Sequence, residues 1–400
     1  MISPKMDVMG RISGKLNSPR PPSNHVACQS DAFESIRGPY QSDRESLESP
    51  FAKLHQRTEM LRFPPAPAAF LLVCLGVCSS ICGEELPRLT TLSNPSQSFK
   101  TATKPYVVMR RGEVRVVVVN NEAVDDEILP GHRAGYSGIA SLTHTERPKN
   151  IFVPAYAGLN YEHIHDGTRR DRDVLFEPRR APMELRIVSP HTCELYQAPT
   201  PTWKLESVLR YHLLPDGAIE MTLECIPHAK TFTNGYVGLF WASYIDAPPS
   251  KDIFFRGRPQ DELQSPVKWI RGITPQHGVL ATHVGATDRR KLRHDKDFPL
   301  TLAFNRSHYR YTEPWYYGVS ANMALAFMFR PQDQVRITQS PSGGGKDNPA
   351  WDFQYFADNY KVGQRYQMVM RALYTPFESA EQMQRVTQGH REALRRRHQE

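Results

Sequence analysis

The sequence predicts an all-β protein, a large antiparallel β-sandwich with a short C-terminal helix. Three observations carry this. The 33 prolines of the 400-residue chain are spread along its length, and proline removes a backbone donor and fixes φ, which disfavours helix interiors. Alternating or β-branched apolar runs recur at roughly 10–20 residue spacing between Gly/Pro turns, the rhythm of a sandwich. Helix formers without proline are concentrated in one place, the tail from Glu378, "ESAEQMQRVTQGHREALRRRHQE", which predicts a basic C-terminal helix over 378–400.

The elements follow in order. Residues 1–59 are polar and rich in Ser, Pro and Arg, and read as a disordered or mispredicted extension. From Met60 the chain reads "MLRFPPAPAAFLLVCLGVCSSICGEELP". A charge, an apolar run and small residues in that order predict a signal peptide over 60–83, with Met60 as the start and a secreted or periplasmic mature protein. The apolar run Ala66–Val77 is shorter than the roughly 20 residues a membrane span needs, so no stable span is expected in the mature chain; the plain alternative is a buried apolar segment. "LGVC" and "SSIC" fit a lipid-attachment pattern poorly. Residues 84–105 read as a flexible arm and 106–377 as one sandwich domain. Within it "EVRVVVVNNEAV" is a strand and turn, and "NIFVPAYAG" a short strand. "MELRIVSPHTCELYQA" alternates, with Glu184, Arg186 and Val188 opposite Leu185 and Ile187. Two alternating runs flank Pro215-Asp216-Gly217, which predicts a β-hairpin. Further strands are expected at "YVGLFWASYI", "GVLATHVGA", "LTLAFN", "MALAFMFR", "QVRITQSP" and "YQMVMRALYTPF".

The net charge of +8 is modest and lies in scattered arginines and the tail. Without a basic stripe interleaved with aromatics, nucleic acid is not an expected partner. Cys193 and Cys225 remain after the signal. They have neither CxxC nor zinc spacing, and pairing and burial as free thiols are both open.

The segment "YHLLPDGAIEMTLECIPHAKTFTNGYVGLFWASYI" is similar to the middle of the galactose mutarotase-like (aldose 1-epimerase) superfamily, where such a hairpin leads into a strand carrying site residues. The mature sequence also resembles a group of secreted bacterial proteins. The resemblance implies a β-supersandwich with a carbohydrate site on a concave sheet face. It does not imply epimerase activity. Epimerases carry a catalytic histidine in a His-Pro-Tyr-Phe-Asn-like run, whereas this chain has Phe240-Trp241-Ala242-Ser243-Tyr244.

Candidate site residues come from several places along the chain. "GLNYEHIHDGT" holds Asn160, His163, His165 and Asp166. In an extended segment His163 and His165 share one face, with Glu162, Ile164 and Asp166 on the other. The histidine pair suits acid–base work, or starts a divalent metal site that needs a third ligand from Asp166, His277 or His283; a polar turn is the plain alternative. "FEPRRAPMELR" supplies Arg179 and Arg180, whose forks match the carboxylate of a uronate or a sulfated sugar. Trp203 and Trp241 offer flat faces for sugar stacking or serve as core. "RYTEPWYYG" crowds Glu313, Trp315 and Tyr317 at a proline turn, which suits a saccharide subsite. "QSPSGGGKDNPAWDFQYF" lacks phosphate-loop spacing and reads as a lid or rim bearing Trp351, Asp352 and Gln354.

The leading expectation is a carbohydrate-binding protein whose ligand, an acidic polysaccharide among the candidates, lies over Trp241 and Tyr244. The second is a lyase or glycosidase in which His165 or His277 is the base and Glu313 or Asp166 the acid. The third is a cell-envelope interaction protein that uses the basic tail.

Overall fold

The computed structural model describes residues 90–396. The extension expected at 1–59, the signal peptide expected at 60–83 and the first residues of the arm expected from Glu84 lie outside them. Among the described residues sixteen strands form one sheet and three a second. The large sheet starts at the edge strand Lys100–Thr101 and runs through Glu184–Ser189, Thr192–Gln197 and the hairpin Leu205–Leu213/Ile219–Pro227. It continues across Tyr366–Pro376, Met323–Phe329 and Trp315–Ser320. It ends with Arg336–Ser340, Ala350–Asp358, Tyr236–Ala242 and Asn160–His165. Pairing is antiparallel except between Thr282–Gly285 and Arg306–Tyr311.

The sheet doubles back on itself. Leu209, Leu223 and Cys225 from its first part share one apolar cluster with Tyr161, Trp241 and Phe353 from its last. Tyr211 Oη reaches across to donate to the Leu159 carbonyl at 3.4 Å. Two facing layers around one core are what an antiparallel sheet with one apolar face must form. The second sheet, Tyr106–Arg111, Val114–Val119 and Gly138–His144, adds Val116, Val118 and Leu142 to the same cluster.

Several expectations are corrected. "NIFVPAYAG" is not a strand; Phe152 and Gly158 make only isolated bridges to Ile245 and Ile139, because Pro154 cannot donate to a ladder. "LTLAFN" is a single 3₁₀ turn, Thr301–Ala303. The tail is two helices, Ala380–Val386 and Gln388–Arg396. Ser379 caps the first by accepting from Gln382 N at 3.1 Å. Met383 and Leu394 bury into an outer apolar cluster with Trp315 and Tyr317. The alternation read at 184–188 is the first strand of a hairpin, which turns at Pro190-His191 into Thr192–Gln197. Cys193 and Cys225 are free and buried, and burial pushes the Cys225 thiol up to about 12.

One glycine sets the strand contact that matters below. A Cβ at Gly238 would lie 2.7 Å from His165 Cε1, and that ring is walled by Phe298, Phe304 and Phe356. Gly238→Ala is therefore expected to destabilise the protein by about 1–3 kcal/mol through overpacking, read as a lower urea midpoint.

Candidate functional site

Alternation along the last strands sends Ile337, Phe353, Trp241 and Ile164 into the core. It sends Ser340, Asp352, Phe240 and His163 to the opposite face, where they line a cavity of about 460 Å³. That size suits a small-molecule site. Short helices Arg172–Leu175 and Glu177–Arg180 build one wall. They are fixed from beneath: Thr202 N and Trp203 N donate to the buried Glu177 carboxylate at 2.6 and 3.0 Å. Asn121 Nδ2 donates to the Ala181 carbonyl at 2.6 Å.

Glu162 is the centre of the polar network. Strict alternation places it opposite His163. Instead the pairing passes from Phe240↔His163 to Trp241↔Tyr161, so Glu162 is the extra residue of a β-bulge. A bulge re-aims side chains, and Glu162 joins His163 in the cavity wall. Tyr244 Oη donates to Glu162 Oε1 at 2.5 Å, and Arg179 pairs with the same oxygen at 3.0 Å. His163 Nε2 stands 3.8 Å from Oε2. Arg179 also donates through Nε to the Gly135 carbonyl at 2.6 Å. Its guanidinium lies 4.0 Å from the Tyr136 ring centre and 4.9 Å from that of Phe176. Burial pushes the Glu162 carboxyl above the usual carboxylate range, with Arg179 and Tyr244 opposing the rise.

A second carboxyl faces the same space. Asp352 is buried and accepts from Ser243 N at 3.1 Å. Burial pushes it well above the carboxylate range, the Ser243 bond opposes this, and the charge of Glu162 adds to the rise. Asp352 is thus pushed toward its neutral form, with no cation paired to it among the described residues, whereas Glu162 has Arg179. Burial, aided by Arg179, lowers His163 to about 3, so it is neutral. His277 Nδ1 and Ser340 Oγ lie 2.8 Å apart at the rim.

Of the residues singled out in the sequence, His163, Arg179, Tyr244, His277 and Asp352 line the cavity. Others stand elsewhere, for visible reasons. Trp241 and Trp351 point into the core, because strand parity turns Phe240 and Asp352 outward in their place; the expectation of a ligand lying over Trp241 is corrected accordingly. Trp351, Asp352 and Gln354 belong to a buried strand and not to a lid. Trp203 is core, stacked on Phe232 at 4.8 Å. Trp315 and Tyr317 lie under the tail helices, and Glu313 pairs with Arg391 of that tail at 2.5 Å. Asp166 closes a turn, accepting from Thr233 Oγ1 at 2.9 Å and Asn234 N at 3.2 Å. Asn160 is buried and accepts from Ser137 N at 3.0 Å. His165 and Gln354 are buried on the same face but covered by the segment at 293–304. His283 is a core histidine whose Nδ1 lies 2.8 Å from Ser307 Oγ. Among the described residues no group of three or more His, Cys, Asp or Glu side chains has the arrangement to hold a metal ion. None of the described helices is long and apolar enough to cross a membrane.

No protein-family model and no curated protein matches the chain. Among solved structures it is similar to a galactose mutarotase-like protein from Lactobacillus casei, at 9% identity and a TM-score of 0.38, covering 67% of this chain and 99% of that one. A galactose 1-epimerase from Lactobacillus acidophilus is similar at 10% identity and a TM-score of 0.35, covering 70% of this chain and 100% of that one. A heparan sulfate lyase from Pedobacter heparinus is similar at 11% identity and a TM-score of 0.37, covering 70% of this chain and 37% of that one. The first two are of the superfamily that the hairpin segment resembles.

Proposed function

We propose that the protein binds a carbohydrate in the cavity of Glu162, Arg179 and Asp352, without epimerase activity, and that it does so outside the cytoplasm as a secreted or periplasmic protein. The observation that supports this is the pairing of an aromatic wall, Phe176, Phe240 and Tyr244, with a converging carboxylate, guanidinium and imidazole. Aromatic faces bind the C–H faces of a sugar, and charged groups accept from or donate to its hydroxyls. Phe240 stands on the cavity wall in the strand where epimerases carry their histidine, and a phenyl ring has no proton to give. Calorimetric titration of the protein with a panel of mono- and disaccharides tests the reading. At least one sugar is expected to bind, and Glu162→Gln to weaken it by roughly tenfold or more, the worth of one hydrogen bond to a charged group. Absence of heat with every sugar, together with no rise in melting temperature, would sink the proposal.

A second reading, acid–base chemistry on the bound saccharide, is favoured by one observation: two buried carboxyls line the same cavity, Glu162 paired with Arg179 and Asp352 bonded to Ser243 N. Two carboxyls whose environments differ are the arrangement from which an acid and a base are made.

A further inference from the structure

The face that carries the cavity continues beyond it. Arg336 is the register partner of Gln354, and Gln354 of Phe240, so one cross-strand row runs from the cavity wall to Arg336. Gln354 sits two residues beyond Asp352 on the same strand face, about 7 Å further along. His165 stands beside this row, opposite Gly238. The segment at 293–304 covers all three residues. Leu302 contributes its carbonyl to Gln354 Nε2 at 3.4 Å. Phe298 and Phe304 lie 5.2 and 6.1 Å from the His165 ring centre, and Phe304 lies 5.8 Å from the Arg336 guanidinium.

The covered groups are polar and unsatisfied. Arg336 is 1% exposed, and among the described residues none of its three nitrogens has a hydrogen-bond partner. Its nearest carboxylate, Asp288, is 3.9 Å away and already takes Arg290 at 3.0 Å through both oxygens. Gln354 Oε1 and both ring nitrogens of His165 likewise lack partners. Leaving a buried donor unpaired forfeits its hydration without return, and the loss is greater for a charged one. Unpaired polar atoms on three neighbouring buried side chains, Arg336, Gln354 and His165, point to a ligand, and a guanidinium fork is shaped for an oxyanion. To lift, the covering segment must release the Tyr236 Oη bond to the Arg293 carbonyl at 2.7 Å, the Asp295 N bond to the Gly167 carbonyl at 2.8 Å and the buried Phe298 and Leu302; its Arg169–Asp297 ion pair, 71% and 58% exposed, adds little to that hold.

We propose that Arg336, Gln354 and His165 form a second subsite that takes the carboxylate or sulfate of an acidic saccharide whose neighbouring ring occupies the cavity, the segment at 293–304 lifting to admit it. This rests on the carbohydrate reading above. Binding of matched neutral and acidic disaccharides, differing by one uronate, is measured with the full chain, alongside inorganic sulfate. The acidic sugar is expected to bind at least about tenfold more tightly, a charge-assisted pair being worth that much. Arg336→Gln is expected to erase the preference and leave neutral binding unchanged; Arg336→Lys, which keeps the charge, is expected to retain part of it. Circular dichroism and the melting temperature of each variant report whether it folds. Equal affinity for both sugars overturns the subsite alone. Binding of sulfate through Arg336, with no gain from the uronate, overturns it in favour of a free anion. Failure of every sugar overturns the carbohydrate reading itself.

Discussion

Arg179→Ala is expected to be among the most damaging single substitutions in the protein, costing about 3 kcal/mol of stability and abolishing measurable sugar binding. The guanidinium is 17% exposed and its partner Glu162 7%. Breaking a buried pair from one side costs about 3–5 kcal/mol because the other charge is left uncompensated, and the residual exposure of Arg179 places the loss at the lower end. The same substitution removes the Gly135 bond and the stacking over Tyr136 and Phe176. Arg179→Lys keeps the charge but not the fork or the flat face, and is expected to fall between. The loss has a pH signature. Without Arg179, burial acts on Glu162 with only Tyr244 and the more distant charge of Arg172 opposing it, so the native state holds the Glu162 proton more tightly. A carboxyl raised by folding contributes most below its unfolded range, and that contribution is lost as pH rises through the raised value. The gap between wild type and variant should therefore widen from acid to neutral pH in urea titrations. In the double variant with Glu162→Gln the two losses should sum to less than their separate values, because the substitutions remove one shared interaction.

How much of this was legible in the sequence differs between fold and site. The sandwich and its central hairpin were legible because Pro215-Asp216-Gly217 punctuates two alternating runs. Strands at Arg306–Tyr311 and Ile253–Pro259 were not, because arginines and prolines interrupt their pattern. At the site, charge and aromatic content drew attention to His163, Arg179 and Asp352. Parity misled at Glu162, since a bulge leaves no mark in a period-two pattern. Aromatic crowding misled at Trp315 and Tyr317, because an outer face covered by helices is as rich in rings as a ligand trough. Arg336 had a signal that went unread: a charged residue in "QVRITQSP", in register with the polar Thr338 and Ser340, marks the strand face turned from the core.

Asp352→Asn is expected to stabilise the protein at neutral pH while removing any acid chemistry. Asp352 is 1% exposed and burial pushes its carboxyl well above the usual carboxylate range in the fold, whereas in the unfolded chain it ionises near pH ~4. The sign follows. A carboxyl whose folded pKa is raised adds stability below the unfolded value and loses it as pH climbs toward the folded one. Asparagine keeps the acceptor for Ser243 N, has nearly the same shape, and does not titrate. Wild type and variant should therefore be close in stability near pH ~4 and separate above it, the variant being the more stable at neutral pH. Paired melting curves across pH read this directly, and curves that run parallel would show that Asp352 is ionised in the fold. The same variant divides the two functional readings. Asparagine donates and accepts hydrogen bonds but cannot deliver a proton to a leaving group, so sugar affinity should survive within about tenfold. Any turnover of saccharide by the wild-type protein should vanish if Asp352 is its general acid and persist if it is not. A buried acid kept at a cost in stability fits a trade of stability for function, and the size of the stabilisation in Asp352→Asn measures that cost.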